Sequence, residues 1–275
     1  MKAVRAVGRG AVAAAAMAFS LVAYAYLSAP DVRALRTTNP STTAFMELRA
    51  REAAARGEQP KRDQRWVSYS HISANVKRAV IVTEDDAFWT HGGIDYDELR
   101  DAVQTDLERM EFARGASTIT QQLAKNLYLS PSKNPLRKLK EVIIARRLET
   151  ELSKQRILEL YLNVIEWGDG IWGIEAAARR YYHKSAADLG APEAALLAAA
   201  IANPRVMDPA HPSSRLRRRQ QMVMHRMGYV TPPPVIAEPS PAQPVPGLPP
   251  PDSPLLLPGT VVPTEKRPGG GGPEL

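Results

Sequence analysis

The 275-residue chain contains no cysteine, which excludes disulfides and thiolate metal sites. Small exported domains often depend on disulfides, but a chain of this length can hold together by its apolar core. Alternating β-branched runs are missing between Trp66 and Tyr229, where glycine and proline punctuate segments of helical period. The folded part is therefore expected to be all-α, or mainly α. No internal repeat is present, and aromatics do not interleave the basic runs. The second absence speaks against a nucleic-acid partner. The formal net charge of +7 then points to phosphates or anionic lipids. Charge is absent altogether from Gly10 to Pro30.

That uncharged run follows Lys2, Arg5 and Arg9. Its 21 residues, at about 1.5 Å each, can span a hydrocarbon core of roughly 30 Å, although many are alanine. The positive flank should stay in the cytoplasm and place everything after Asp31 outside. Ala23-Tyr24-Ala25 also fits the cleavage site of a removable signal peptide. An uncleaved anchor is expected, and either route exports the domain. At the far end, 15 of the 45 residues from Thr231 to Leu275 are proline, a composition that cannot pack a core. The expected organisation is a cytoplasmic tip and transmembrane anchor at 1–30 and a polar stalk at 31–65. A folded domain follows at 66–230, then a Pro/Gly-rich disordered tail at 231–275.

Within the domain, helix starts are marked by Ser70 or Ser73, Asp95 (with Glu98 completing a capping box), Ser117, Pro135, Ser153, Gly173, Pro192 and Ser213 or Ser214. Four stretches carry polar groups in patterns that suit chemistry. In Thr83–Asp95, helical spacing puts Glu84, Phe88 and His91 on one face, one turn after Val80. Apolar neighbours and the negative charge of Asp85 and Asp86 should raise the Glu84 pKa toward the range useful for proton transfer. Gly92-Gly93 marks a tight turn beside it. In Gly115–Lys125, Ser117, Thr118, Thr120, Gln121 and Gln122 crowd a helix start, where free N–H groups favour an anion. Lys125 follows one turn after Gln121. In Pro135–Glu141, the cations Arg137, Lys138 and Lys140 surround Glu141, a set able to hold a pyrophosphate or a metal-bound phosphate. In Lys154–Asn163, Glu159 and Asn163 interrupt an apolar surface and are expected to tie down the Trp167–Gly173 loop.

In this order the four stretches resemble the motif signature of the peptidoglycan glycosyltransferases, the lysozyme-like family that polymerises lipid II. E-D-x-x-F-x-x-H-x-G is met at Glu84–Gly93 and G-x-S-T-I-T-Q-Q at Gly115–Gln122. R-K-x-x-E is met at Arg137–Glu141 and I-L-E-x-Y-L-N at Ile157–Asn163, followed by an alanine-rich A-A-L-L-A and Asn203-Pro204. Ala116 stands where glycine is frequent, and Ala202 where proline often precedes Asn-Pro. Neither change removes a charge or a donor. The penicillin-binding transpeptidase of larger relatives is not expected in this chain. Ser130-Pro131-Ser132-Lys133 and Ser73-Ala74-Asn75 occur in the wrong order, and K-T-G is absent.

The resemblance implies an all-α, lysozyme-like domain held at the inner (plasma) membrane by a single-pass anchor, with its active site on the periplasmic side. Glu84 would deprotonate the C4 hydroxyl of lipid II. Lys125, Arg137, Lys138 and Lys140 would hold the donor pyrophosphate, with Thr118 and Gln122 donating hydrogen bonds. Glu141 would orient those cations or bind a divalent metal, Mg or Mn. Asp85, Phe88, His91, Ser117 and Gln121 would line or shape the substrate pocket. No organic cofactor is implied. Partners would be lipid II, nascent glycan strands, the membrane, and proteins of cell-wall synthesis or division. A lytic transglycosylase would share the fold and the single glutamate. A membrane-anchored scaffold with an inactive site is a third alternative.

Overall fold

The computed structural model describes residues 2–96, 100, 117–130 and 134–228, with side chains from Ala11 onward. Nearly all regular structure is helical: α1 Lys2–Leu27, α2 Ala44–Ala55, α3 Ala74–Glu84, α4 Ile119–Tyr128, α5 Pro135–Glu151, α6 Lys154–Val164, α7 Ile174–Tyr182, α8 Ala191–Ala200 and α9 Ser214–Arg226. The caps explain the boundaries. The side chains of Ser73, Asn134, Ser153 and Ser213 accept backbone N–H groups at the starts of α3, α5, α6 and α9, satisfying donors that a helix start leaves unpaired. Pro135 and Pro192 occupy first turns, where a missing N–H costs nothing. The cap of α4 is Thr118, one residue beyond the serine expected from sequence. The helix expected from Asp95, with Glu98, lies mostly outside the described residues, as does the tail from Thr231.

The amphipathic helix α4 lies at the centre, with Ile119, Leu123, Ala124 and Leu127 buried against α5 and α6. Tyr161, Trp167 and Trp172 fill the adjoining core, and α3, α8 and α9 pack together beside it. Strands were not expected, yet a three-stranded sheet of order β1-β3-β2 forms from Asp63–Gln64, Glu166–Gly168 and Ile171–Trp172. Asp63 pairs with Ile171 in parallel register, and β2 runs antiparallel to β3. Gly170, with φ +75°, brings the backbone so near Lys61 that a Cβ would stand 2.9 Å from the Lys61 carbonyl oxygen.

This sheet overturns the polar stalk. Residues 31–65 belong to the domain: Val32, Leu35, Met46 and Ala53 are buried, and α2 packs on α4. The charges that make the segment look solvated have distant partners. Arg49 Nε donates to the buried Glu166 at 3.0 Å, and Arg156 reaches the carbonyls of Leu35 and Thr38. Glu159 and Asn163 are ties, but to a different segment from the one expected. Asn163 pairs with both backbone groups of Val67, and Glu159 accepts from Tyr69 N–H.

Large apolar side chains of α1, including Met17, Phe19, Leu21 and Leu27, are exposed. Among the described residues no helix is long and apolar enough to cross a membrane. Helix α1 itself has 26 residues, about 39 Å at ~1.5 Å per residue. At its far end, Arg147 on α5 donates to the carbonyls of Tyr26 and Ala29 at 2.6 and 2.7 Å.

Candidate active site

Helix α3 ends at Glu84, because Asp85 turns to φ −171°, ψ 80° and leaves the helical path. The shared helical face expected for Glu84, Phe88 and His91 therefore does not exist. What draws Asp85 out is a pair of buried hydrogen bonds. Its Oδ2 accepts Ile119 N–H at the first residue of α4, at 2.8 Å. Its Oδ1 lies 2.7 Å from His91 Nε2. Gly93 N–H donates to His91 Nδ1, so Nε2 is the ring nitrogen left to donate to Asp85. Gly93 sits at φ +88°, where a Cβ would come 2.8 Å from Glu149 Cγ, so glycine is required there. The Gly93 carbonyl accepts the Thr118 hydroxyl at 2.7 Å. Phe88 is fully buried, with Lys154 Nζ 4.5 Å from its ring centroid. Asp85, Phe88 and His91 thus shape the ground under Glu84, out of reach of a substrate.

The second expectation to change is the anion site at the start of α4. Thr118 N–H is accepted by Gln121 Oε1 and Gln121 N–H by Thr118 Oγ1, a complete capping box. Ile119 N–H is held by Asp85. The N–H groups of Thr118, Ile119 and Gln121 are thus consumed internally, and Thr118 and Gln121 are both buried. The Thr118 hydroxyl is spent on Gly93 and cannot serve a pyrophosphate.

The groups that face one another are fewer. Gln122 Nε2 donates to Glu84 Oε2 at 2.8 Å. Burial raises the Glu84 pKa above the ordinary carboxylate value. The Gln122 hydrogen bond and the charges of Arg219 and Lys125 oppose that rise, and Asp85 reinforces it. One turn along α4, burial lowers the Lys125 pKa. Glu141 and Glu84 counter that fall, and Arg137 and Lys138 deepen it. Arg137 and Lys138 grip Glu141 from both sides, at 2.6 and 2.5 Å, with the carboxylate only 3% exposed. Lys138 Nζ also reaches Ser117 Oγ at 3.3 Å. Arg137 Nε is buried with no hydrogen-bond partner among the described residues. Lys140 departs from expectation: its Nζ lies 4.8 Å from the Tyr24 ring centroid on α1, away from this cluster.

Two participants were missed in the sequence. Tyr161, on the apolar surface of Lys154–Asn163, donates its hydroxyl to Gln122 Oε1 at 2.8 Å; a buried tyrosine whose polar tip needs a partner is the signal that was available. Arg219 on α9 is held by the Ala199 carbonyl, and its charge acts on Glu84. A divalent metal fits poorly. Both Glu141 oxygens are engaged by cations, and among the described residues no three His, Asp or Glu side chains converge.

A family profile described as Transglycosylase matches residues 50–228. Among curated proteins, the biosynthetic peptidoglycan transglycosylase of Nitrosomonas eutropha is 47% identical over 192 residues, covering 70% of this chain and 79% of its own length. Proteins of the same name from Janthinobacterium sp. and Aromatoleum aromaticum are 46% and 47% identical. They cover 69% and 71% of this chain and 82% and 84% of their own lengths. The match starts within α2 and runs to the end of the described domain, spanning the half-buried glutamate and the facing cations: the chain belongs to the transglycosylase family.

Proposed function

We propose that the domain polymerises glycan chains of peptidoglycan, transferring the growing chain from undecaprenyl pyrophosphate to lipid II. One observation carries the proposal: α4 presents Gln122 to the half-buried carboxylate of Glu84 and, one turn on, Lys125 to a cluster of cations. An inverting transfer to an alcohol needs a base on one side of the anomeric carbon and stabilisation of the leaving anion on the other. Glu84 takes the proton of the acceptor C4 hydroxyl. The freed oxygen forms its bond to C1 as the C1–O bond to pyrophosphate breaks, and that electron pair leaves with the undecaprenyl pyrophosphate. The α linkage becomes β. Lys125, Arg137 and Lys138 receive the pyrophosphate charge, and Glu141 orients the last two. The orphan Arg137 Nε–H supports this assignment, since a buried donor without an acceptor costs about 1–3 kcal/mol and a phosphate oxygen would satisfy it. No step is assigned to a divalent cation.

The names of the relatives support a place in cell-wall biogenesis, hence in the cell envelope. We further propose that α1 anchors the chain in the inner membrane with the domain outside. The uncharged run Gly10–Pro30, its basic flank and the exposed apolar side chains of α1 support this. The test is labelled lipid II incubated with wild-type protein and with Glu84→Gln, products sized before and after muramidase digestion. Muramidase-sensitive polymer from wild type and a loss of at least about 10²–10³ in rate for Glu84→Gln are expected. Cleavage of preformed glycan by wild type, with no polymer, would instead mark a lytic enzyme.

A further inference from the structure

We propose that Tyr161 is a positioning residue for Glu84, acting through the side-chain amide of Gln122. The inference rests on the reading of Glu84 as the base. Tyr161 lies on α6, fully buried in the core, with its hydroxyl 2.8 Å from Gln122 Oε1. The amide nitrogen of Gln122 faces two acceptors, Glu84 Oε2 at 2.8 Å and the Ser117 carbonyl at 3.2 Å. An amide has two N–H donors and one acceptor oxygen. All three are matched in this orientation and in no other. Flipping the amide would set Oε1 against a carboxylate and a carbonyl, and NH₂ against a phenol.

The phenol can do only one thing here. Burial, and after it the charges of Glu84 and Asp85, hold the Tyr161 pKa well above 10, so the hydroxyl stays protonated and its proton points at Oε1. The three groups form one directed chain, Tyr161 O–H to Gln122 C=O, then Gln122 N–H to Glu84 carboxylate. In a buried setting each such bond polarises the next. Two effects follow for Glu84. Its Oε2 is fixed, which leaves Oε1 to meet the acceptor hydroxyl; among the described residues Oε1 has no hydrogen-bond partner. The hydrogen bond also favours the charged carboxylate, restraining the rise that burial imposes. The Gln122 hydrogen bond thus favours the charged form of Glu84 in a setting that disfavours it. Tyr161 touches neither substrate nor reacting atoms, so its part is positioning.

The test uses full-length protein in detergent and the pH profile of kcat/KM for lipid II polymerisation, in wild type, Tyr161→Phe, Gln122→Met, the double variant and Glu84→Gln. Tyr161→Phe should lower kcat more than it changes KM. It should move the acidic limb of the profile upward by about half to one pH unit, that is about three- to tenfold in rate on the limb. In the Gln122→Met background, Tyr161→Phe should have no further effect on the limb, because the link is already cut. If Tyr161→Phe fails to fold, Gln122→Met alone should displace the limb in the same direction and at least as far, since it removes the direct hydrogen bond to Glu84. An unmoved limb in folded Tyr161→Phe, or in Gln122→Met, overturns the inference while an inactive Glu84→Gln leaves the base assignment standing. A fully active Glu84→Gln overturns that assignment itself. A Tyr161→Phe protein that loses only thermal stability would make Tyr161 a packing residue and reject the proposal.

Discussion

The two halves of the site are built on opposite terms. Around the Asp85 seam every polar group has found a protein partner: Ile119 N–H, His91, Gly93, Thr118 and Gln121 close on one another. Around Glu141 the account stays open. Among the described residues Arg137 Nε is buried without a partner, Lys138 is half exposed, and the pKa of Lys125 is lowered by burial and by its cationic neighbours. A closed seam is a rigid platform, whereas like charges crowded about one carboxylate are completed by an incoming anion. The difference separates residues that hold the site from residues that receive the substrate, although both sets look alike as motifs.

The sharpest way to break that distinction is Lys125→Met. It should cost about 10²–10³ in rate, as expected for one charge-stabilising group. Inorganic pyrophosphate should raise the thermal midpoint of wild type by a few degrees and leave that of the variant unmoved. Asp85→Ala tests the other half. It should remove about 2–3 kcal/mol of stability by stranding Ile119 N–H and His91, read by chemical denaturation, and abolish no pyrophosphate-induced rise in the protein that remains folded. The pH profile refines the contrast. Glu84 works deprotonated, and burial raises its pKa. Activity should therefore fall, as pH drops, at a higher pH than the ordinary glutamate value of 4.5 dictates. On the alkaline side Lys125 must stay charged, and its lowered pKa brings that loss below the usual lysine value. The smallest effect belongs to Lys140→Ala, within about 0.5 kcal/mol in stability and without change in rate, because its ammonium faces Tyr24. A large loss of rate there would return Lys140 to the pyrophosphate cluster.

Much of the helical architecture was legible, because caps and apolar periods are local. Ser73, Pro135, Ser153 and Pro192 mark helix starts in sequence and in space. The end of α3 was not legible: Asp85 leaves the helix for a hydrogen bond to Ile119, 34 residues away, and no local signal encodes that bond. The sheet escaped because strands of two and three residues are too short to show a period. The segment from Asp31 to Arg65 looked like a solvated stalk because its charges carry no mark of distant partners such as Glu166. In the site, the expected residues gather around Glu84 and Glu141, but several are turned inward. Thr118, Gln121 and Asp85 are donors and acceptors turned inward, and only coordinates distinguish these from the same groups turned toward a ligand.

The grip of Arg147 on the last carbonyls of α1 has a mechanical meaning. α5 carries Arg137, Lys138 and Glu141 in its first two turns and Arg147 ten residues beyond Arg137, about 15 Å along one stiff rod. That clamp couples α1 to α5, whose other end carries the cations that grip Glu141.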